Sequence, residues 1–172
     1  MSVWRIASSS VLTELQPVCT ETFGDLDMIW LDVAPEQPMD ATLIKNALAA
    51  VLRVDTSAIE VVNDLSQAQD KAVLCVIHEG DGSDFSQVVS IYVTEELTPP
   101  SLLEGGSQIA KFVQTAVLLP NDESANPYSF VLASPSGSLV NVLVDADQLD
   151  QHDRYVIVAY DGAPGCAEGG NT

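Results

Sequence analysis

Two histidines, each set among carboxylates, are the residues whose types and spacing come closest to a chemical site. His78 follows an apolar run and is near Glu79, Asp81 and Asp84 in the chain. An imidazole beside carboxylates can act as a general base or contribute to a hard metal site. A histidine at a strand end beside a polar turn is, however, more often an ordinary surface residue, so the pattern assigns no catalytic role.

The second histidine, His152, lies in an acidic segment with carboxylates at Asp145, Asp147, Asp150 and Asp153. The first positions resemble a calcium loop. Such a loop needs glycine at its sixth position and glutamate at its twelfth, where this chain has Asp150 and Val156. The segment is therefore predicted to be a solvated acidic connection, and a contact with a partner protein stays open.

The sequence predicts no catalytic nucleophile and no phosphate site, because the residues around each candidate do not fit the known pattern. The segment Ser134-Pro-Ser-Gly-Ser138 lacks the glycine-x-serine-x-glycine elbow and is predicted between antiparallel strands. Two glycines after Glu104 stand near a helix start, but the Glu104 carboxylate would repel an anion. The cysteines predict neither a zinc site nor a disulfide framework, because they are sparse and form no CxxC pair: Cys19, Cys75 and Cys166. No cofactor, metal or catalytic residue is predicted.

Charge limits the function more than any motif does. The 172 residues carry 25 acidic and 6 basic side chains, a formal net charge of −19. Such a surface repels nucleic acids and anionic membranes, because affinity for both comes largely from lysine and arginine. It can attract a basic protein partner, or it can simply keep the protein soluble.

The first residues lack a basic leader followed by a long apolar region, and no apolar run approaches the length of a membrane span. The hydrophobic fraction of 47% is normal for a globular core. We therefore expect a cytoplasmic globular protein that binds neither nucleic acid nor membrane. Whether it forms a homo-oligomer stays open.

The clearest secondary-structure signals lie between residues 28 and 77. An apolar strand is predicted over 28–33, and Asp40 is predicted to cap a helix over about 41–53, whose apolar residues recur at i, i+3 and i+4. Strands follow at 58–62 and 72–77, with Cys75 as a core residue of the second. The polar run 63–71 between them is predicted to be a hairpin connection.

The later elements are predicted from the same kinds of pattern. A glycine and acid cluster over 78–84 predicts a hairpin turn, and Ser101 with Glu104 has the form of a capping box. The glycines at 105 and 106 predict one helical turn, a break, and a helix that restarts at Ser107. Strand predictions cover 3–7, 88–93, 116–119, 129–133, 139–144 and 155–160, and a short helix is predicted over 11–15.

The two halves of the chain repeat an order of elements. Residues 58–64 resemble residues 116–122, and each is preceded by a helix and followed by two strands. This order predicts a tandem duplication, with halves over 28–97 and 98–160, although chance similarity between short apolar strands would give a similar pattern.

The expected fold is a single α+β domain over 1–160, followed by a flexible tail over 161–172. Short connections favour antiparallel pairing, and the helices need a sheet face on which to bury their apolar side. We therefore expect a two-layer sandwich, a mostly antiparallel sheet with helices on one face. Ferredoxin-like halves are compatible with it.

We expect an acidic, non-enzymatic interaction module, such as an inhibitor or immunity-type protein that binds a basic partner. The contact residues predicted for that partner are the carboxylates of Glu79, Asp81, Asp84, Asp145, Asp147, Asp150 and Asp153. The alternatives are a ligand-binding protein or enzyme whose site the sequence does not reveal, and a structural module that forms oligomers. A deep pocket that holds His78 or His152 with carboxylates would favour ligand binding.

Overall fold

The structure, a computed structural model, describes residues 28–160. Its elements in chain order are strand β1 (Met28–Pro35), helix α1 (Ala41–Leu52), β2 (Ile59–Val62), β3 (Val73–His78), β4 (Val88–Val93), α2 (Leu102–Val113), β5 (Val117–Pro120), β6 (Ser129–Ala133), β7 (Leu139–Val144), α3 (Ala146–His152) and β8 (Ile157–Tyr160). The expected α+β fold is thereby confirmed.

The eight strands form one sheet in the order β2-β3-β4-β1-β5-β6-β7-β8. Every neighbouring pair is antiparallel except β2 and β3, which are parallel. The first strand of the described chain, β1, lies in the middle, where it pairs with β4 on one side and with β5 on the other. It therefore joins the two halves of the sheet.

Helices α1 and α2 cover one face of the sheet, as expected. Alternate strand residues point towards them, including Val73, Cys75 and Ile77 of β3, each 4% exposed or less. Cys75 is 0% exposed, which confirms it as a core residue, and this burial raises the pKa of its thiol to about 12. Helix α1 begins after Asp40, whose Oδ1 accepts a hydrogen bond from the Leu43 amide at 2.7 Å.

The predicted break in the second helix is wrong, because α2 continues through Gly105 and Gly106. Both glycines face the sheet and are buried. A Cβ at Gly105 would lie 2.6 Å from Cζ2 of Trp30, and one at Gly106 would lie 2.3 Å from Cδ1 of Leu119. The glycines therefore allow the helix to approach β1 and β5 closely, and packing outweighs their low helix propensity.

The predicted hairpin over 63–71 is also wrong. Asp64 caps a short 3-10 turn, and the chain then returns so that β2 and β3 run parallel. The return is feasible because β2 has four residues and is only about 13 Å long. The hairpin expected after His78 is confirmed, since β3 and β4 pair antiparallel.

The duplication stays a prediction. A helix followed by three strands occurs in both halves, but β2 and β3 are parallel whereas β5 and β6 are antiparallel. The strand and helix predicted over 3–7 and 11–15, the tail over 161–172, and Cys19 and Cys166 lie outside the described residues. Within 28–160, no helix has both the length and the apolar character needed to cross a membrane.

Candidate ligand-binding cleft

The sheet face opposite α1 and α2 carries a cleft of about 630 Å³, which we call the cleft below. Its floor is formed by β4, β1 and β5, through residues that include Asp32, Ser90, Tyr92 and Leu118. One wall comes from the connection between β3 and β4, and the other from the end of α3 and residues 153–155.

Strand alternation places Asp32 on the cleft side of β1. Its neighbours Leu31 and Val33 belong to the core beneath the helices, whereas Ala34 belongs to the cluster on the opposite face. In the register of the sheet, Asp32 lies opposite Ser90 of β4. A carboxylate is thus held at the floor of the cleft by a central strand that has a neighbour on each side.

The two walls are joined by an ion pair between Arg154 and Asp81. Nε of Arg154 donates a hydrogen bond to Oδ2 of Asp81 at 2.7 Å, and Nη2 donates to the same oxygen. Asp81 also accepts hydrogen bonds from the amide and hydroxyl of Ser83. The Ser83 hydrogen bonds, and after them Arg154, hold the pKa of Asp81 well below its usual range. Asp81 therefore stays ionised.

Helix α3 positions the second wall. Asp145 caps it by accepting a hydrogen bond from the Gln148 amide at 2.9 Å, and Asp153 ends it in a left-handed conformation, with φ 52°. The Arg154 amide then donates to the Gln148 carbonyl at 3.1 Å, which fixes the direction in which the chain leaves the helix. Leu149 packs on the cluster around Phe130 on this face.

Aromatic and apolar side chains make up much of the lining. The rings of Phe130 and Tyr155 meet edge to face, with centroids 5.4 Å apart and planes at 82°. Val88, Leu118 and Pro120 also line the cleft. The lining therefore combines an apolar surface with a few polar groups.

Two of those polar groups lack a partner. Within residues 28–160, the buried side-chain atoms without a hydrogen bond to the protein are Oδ1 of Asp32 and Oγ of Ser86, and both residues line the cleft.

The pKa of Tyr155 is raised, first by burial and then by the charges of Asp32 and Asp153. The pKa of Tyr92 is raised by burial and by Asp32. Both phenols therefore remain neutral at physiological pH.

The structure brings together part of the set predicted from sequence. His78 and His152, which are 74 positions apart in the numbering, both line the cleft, as do Glu79, Asp81 and Asp153. The other predicted carboxylates do not line it: Asp84, Asp145, Asp147 and Asp150.

The acidic segment around His152, predicted to be a solvated acidic connection, links β7 to β8 as helix α3, and its Asp147, Asp150 and Asp153 are exposed. Asp145 caps α3, and Oδ2 of Asp150 accepts a hydrogen bond from the Tyr128 hydroxyl at 2.8 Å. That hydrogen bond raises the pKa of Tyr128. The apolar residues Ala146 and Leu149 are three positions apart, which is helical spacing. Together with the Asp145 cap, this spacing is the signal that could have identified the helix.

Sequence reasoning missed the floor residues Asp32 and Tyr92 and the wall residues Ser86 and Tyr155. The one signal for Asp32 was a single carboxylate inside an apolar strand. Among residues 28–160, no group of three or more histidine, cysteine, aspartate or glutamate side chains is arranged to hold a metal ion. The cleft has an apolar lining with a few polar groups.

Comparison with protein-family models, with curated proteins and with solved structures finds no match for this chain.

Proposed function

We propose that this protein binds a small organic molecule in the cleft. Its volume of about 630 Å³ lies within the range of about 300–1,000 Å³ that is common for ligand pockets. Its lining also has the usual composition of such a pocket, an apolar surface with a few convergent polar groups. His78 and His152 line the cleft together with carboxylates, and the sequence analysis named such a pocket as the feature that would favour ligand binding.

The observation that carries the proposal is the position of Oδ1 of Asp32 and Oγ of Ser86. A buried polar atom without a partner costs about 1–3 kcal/mol, and native proteins contain few of them. Both of these atoms belong to residues that line one cleft. Both residues are half-buried at the cleft, so a ligand that binds there would lie beside polar groups that the fold leaves without a partner.

A variant that fills the cleft tests the proposal. Ser90 is 8% exposed on the floor, so Ser90→Phe would place a ring where the ligand is expected. Asn141→Phe is the matched control, because Asn141 is exposed on β7 and does not line the cleft.

The full-length proteins are incubated with a small-molecule extract, desalted, and examined by native mass spectrometry. Wild type and Asn141→Phe should retain a bound mass that Ser90→Phe loses, while all three show folded circular dichroism spectra. The proposal fails if folded wild type retains no bound mass, or if Ser90→Phe retains the same one.

Docking of a basic protein is a second candidate, and it is favoured by the arrangement of the rim. The Arg154–Asp81 ion pair brings the 79–84 connection next to the end of α3, so that the two acidic segments predicted for a partner are adjacent. Six of their seven carboxylates are exposed. Asp81 is bound to Arg154 and Asp150 to Tyr128, which leaves four for a partner: Glu79, Asp84, Asp147 and Asp153. Such a rim would speed the approach of a cationic surface.

The candidate is tested by a pull-down at low ionic strength with a variant that carries Gln or Asn at those four positions. The control neutralises four exposed carboxylates elsewhere: Asp70, Glu95, Glu96 and Glu123. A basic protein that is captured by wild type and the control, released by salt, and lost with the rim variant would support docking. Equal capture by the rim variant and the control, or no capture by wild type, would contradict it.

A further inference from the structure

We propose that the ligand of the cleft is an organic amine, whose ammonium group binds the Asp32 carboxylate and whose apolar body lies against the floor and the aromatic wall. This inference rests on the proposed function of the cleft and names its ligand class. It is argued from the charge of the lining, the depth of Asp32 and the chemistry around it.

The charge of the cleft favours a cation. Four carboxylates line it: those of Asp32, Glu79, Asp81 and Asp153. Among the described lining residues there is no lysine, and Arg154 is the single arginine. The Arg154 guanidinium is already bound to Asp81. Within residues 28–160 the other three carboxylates form no ion pair, with the two lining histidines included, and a bound anion would be repelled by each of them.

Asp32 is the carboxylate best placed to recognise an ammonium group. Its Oδ1 is buried and accepts no hydrogen bond from residues 28–160, whereas Asp81 is satisfied by Ser83 and Arg154. A hydrogen bond to a charged group contributes about 1.5–3 kcal/mol, more than one between neutral groups. An ammonium group in the cleft would place the opposite charge beside this carboxylate.

The surroundings of Asp32 suit the rest of such a molecule. Tyr92 and Tyr155 are close enough for its charge to raise their pKa values, and with Phe130 they supply three aromatic rings to the lining. Aromatic rings attract cations through their electron-rich faces. The rings and Leu118 also provide the apolar surface that an aryl or alkyl group would cover.

The test compares three probes of nearly equal size: 2-phenylethylamine, which is cationic at about pH 7, neutral 2-phenylethanol, and anionic 3-phenylpropionate. Binding to the full-length protein is measured by ligand-observed NMR titration. Probes of this size bind with a Kd on the order of 1 mM. The amine should bind at least about tenfold more tightly than either analogue.

Two variants locate the charge effect. Asp32→Asn keeps the side-chain shape and should weaken amine binding about tenfold or more, while it leaves 2-phenylethanol binding within about twofold. Asp70→Asn makes the same charge change at an exposed residue outside the cleft and should leave amine binding unchanged.

The outcomes separate this inference from the proposed function. If the neutral or anionic probe binds as tightly as the amine, and Ser90→Phe abolishes that binding, the cleft binds ligands but the amine inference is wrong. An unaltered amine affinity in Asp32→Asn also overturns it. If no probe binds wild type, the amine inference is wrong, and the retained mass in the extract experiment decides the proposed function. If binding survives Ser90→Phe, both proposals are contradicted.

Discussion

Arg154 and Asp81, which are 73 residues apart in the chain, form an ion pair in which Nε of Arg154 lies 2.7 Å from Oδ2 of Asp81. The pair connects the loop between β3 and β4 with the segment between α3 and β8. Those two segments form the walls of the cleft, whereas the floor is formed by β4, β1 and β5. An exposed ion pair therefore connects the two sides of the site.

Asp81→Asn should lower the melting temperature slightly at about pH 7, with a small effect because both partners are exposed. The pKa of Asp81 is lowered in the folded state, so its stabilisation is present above the unfolded pKa of about 3.9. It is lost as the pH falls through the lower folded pKa. The difference in melting temperature between wild type and Asp81→Asn should therefore shrink below about pH 4.

Thermal unfolding followed by circular dichroism between about pH 7 and pH 2 provides the measurement. Asp84→Asn is the control, because Asp84 is exposed on the same connection and its side chain does not line the cleft. A difference for Asp81→Asn that stays constant down to the lowest pH would show that the ion pair does not stabilise the fold.

Asp32→Asn should lower the pKa values of Tyr92 and Tyr155. Burial is the larger cause of both raised values and stays in place, but the charge of Asp32 contributes to each. Removing that charge makes the tyrosinate forms less unfavourable. The titration can be followed residue by residue through NMR signals of isotope-labelled tyrosine ring carbons.

Tyr128 is the internal control for that titration. Its pKa is raised mainly by its hydrogen bond to Asp150, so Asp32→Asn should leave it unchanged. Equal changes at all three tyrosines, or none at Tyr155, would contradict the placement of the Asp32 charge in the cleft.

Gly105→Ala should lower the free energy of unfolding by about 1–2 kcal/mol. The new Cβ would meet Cζ2 of Trp30 at 2.6 Å, and Trp30 is held in place because its Nε1 donates to the Pro100 carbonyl at 3.0 Å. Trp30→Phe removes the contacting ring atoms, so Gly105→Ala should cost less in that background. Urea denaturation of the four proteins gives the coupling energy.

A stabilisation of about 1 kcal/mol by Gly105→Ala would contradict this account. That is the gain expected from helix propensity alone, and it would mean that α2 can move away from β1 without loss.

Gln87→Leu should lower the free energy of unfolding by about 2 kcal/mol. Gln87 is 2% exposed, and its Oε1 accepts from the Met39 amide at 2.8 Å while its Nε2 donates to the Met39 carbonyl at 3.1 Å. Leucine of similar size would leave both backbone groups of Met39 without these partners. The matched control, Gln67→Leu at an exposed residue, should change stability by less than about 0.5 kcal/mol. Equal effects of the two substitutions in urea denaturation would contradict the role of Gln87.

The sequence predicted those features that depend on neighbouring residues. Asp40 and the apolar spacing after it identified α1, and short apolar runs rich in β-branched residues identified the strands of both halves. These signals are local, because a cap or a short apolar run is complete within a few residues.

The features that the sequence did not predict depend on distant contacts. The Gly105 and Gly106 pair predicted a helix break, because the sequence does not show that these glycines pack against Trp30 and Leu119. The parallel pairing of β2 with β3 is not indicated by any residue pattern in the polar connection over 63–71.

The cleft likewise contains residues that local sequence patterns predicted and a residue that only distant contacts place there. Glu79, Asp81 and Asp153 were predicted as contact residues because acids cluster near them in the sequence, and they do line the cleft. Asp32 stands alone in an apolar strand, and only the fold places it beneath the two walls.

The most direct test of the central claim is a backbone amide NMR titration of the full-length isotope-labelled protein with 2-phenylethylamine. The proposed site predicts saturable shift changes that are largest for residues of β1, β4 and β5 around Asp32 and Ser90, with small changes in α1. Saturable changes that are largest on the helix-covered side of the sheet, or no saturable change in any amide, would contradict the assignment of the cleft as an amine-binding site.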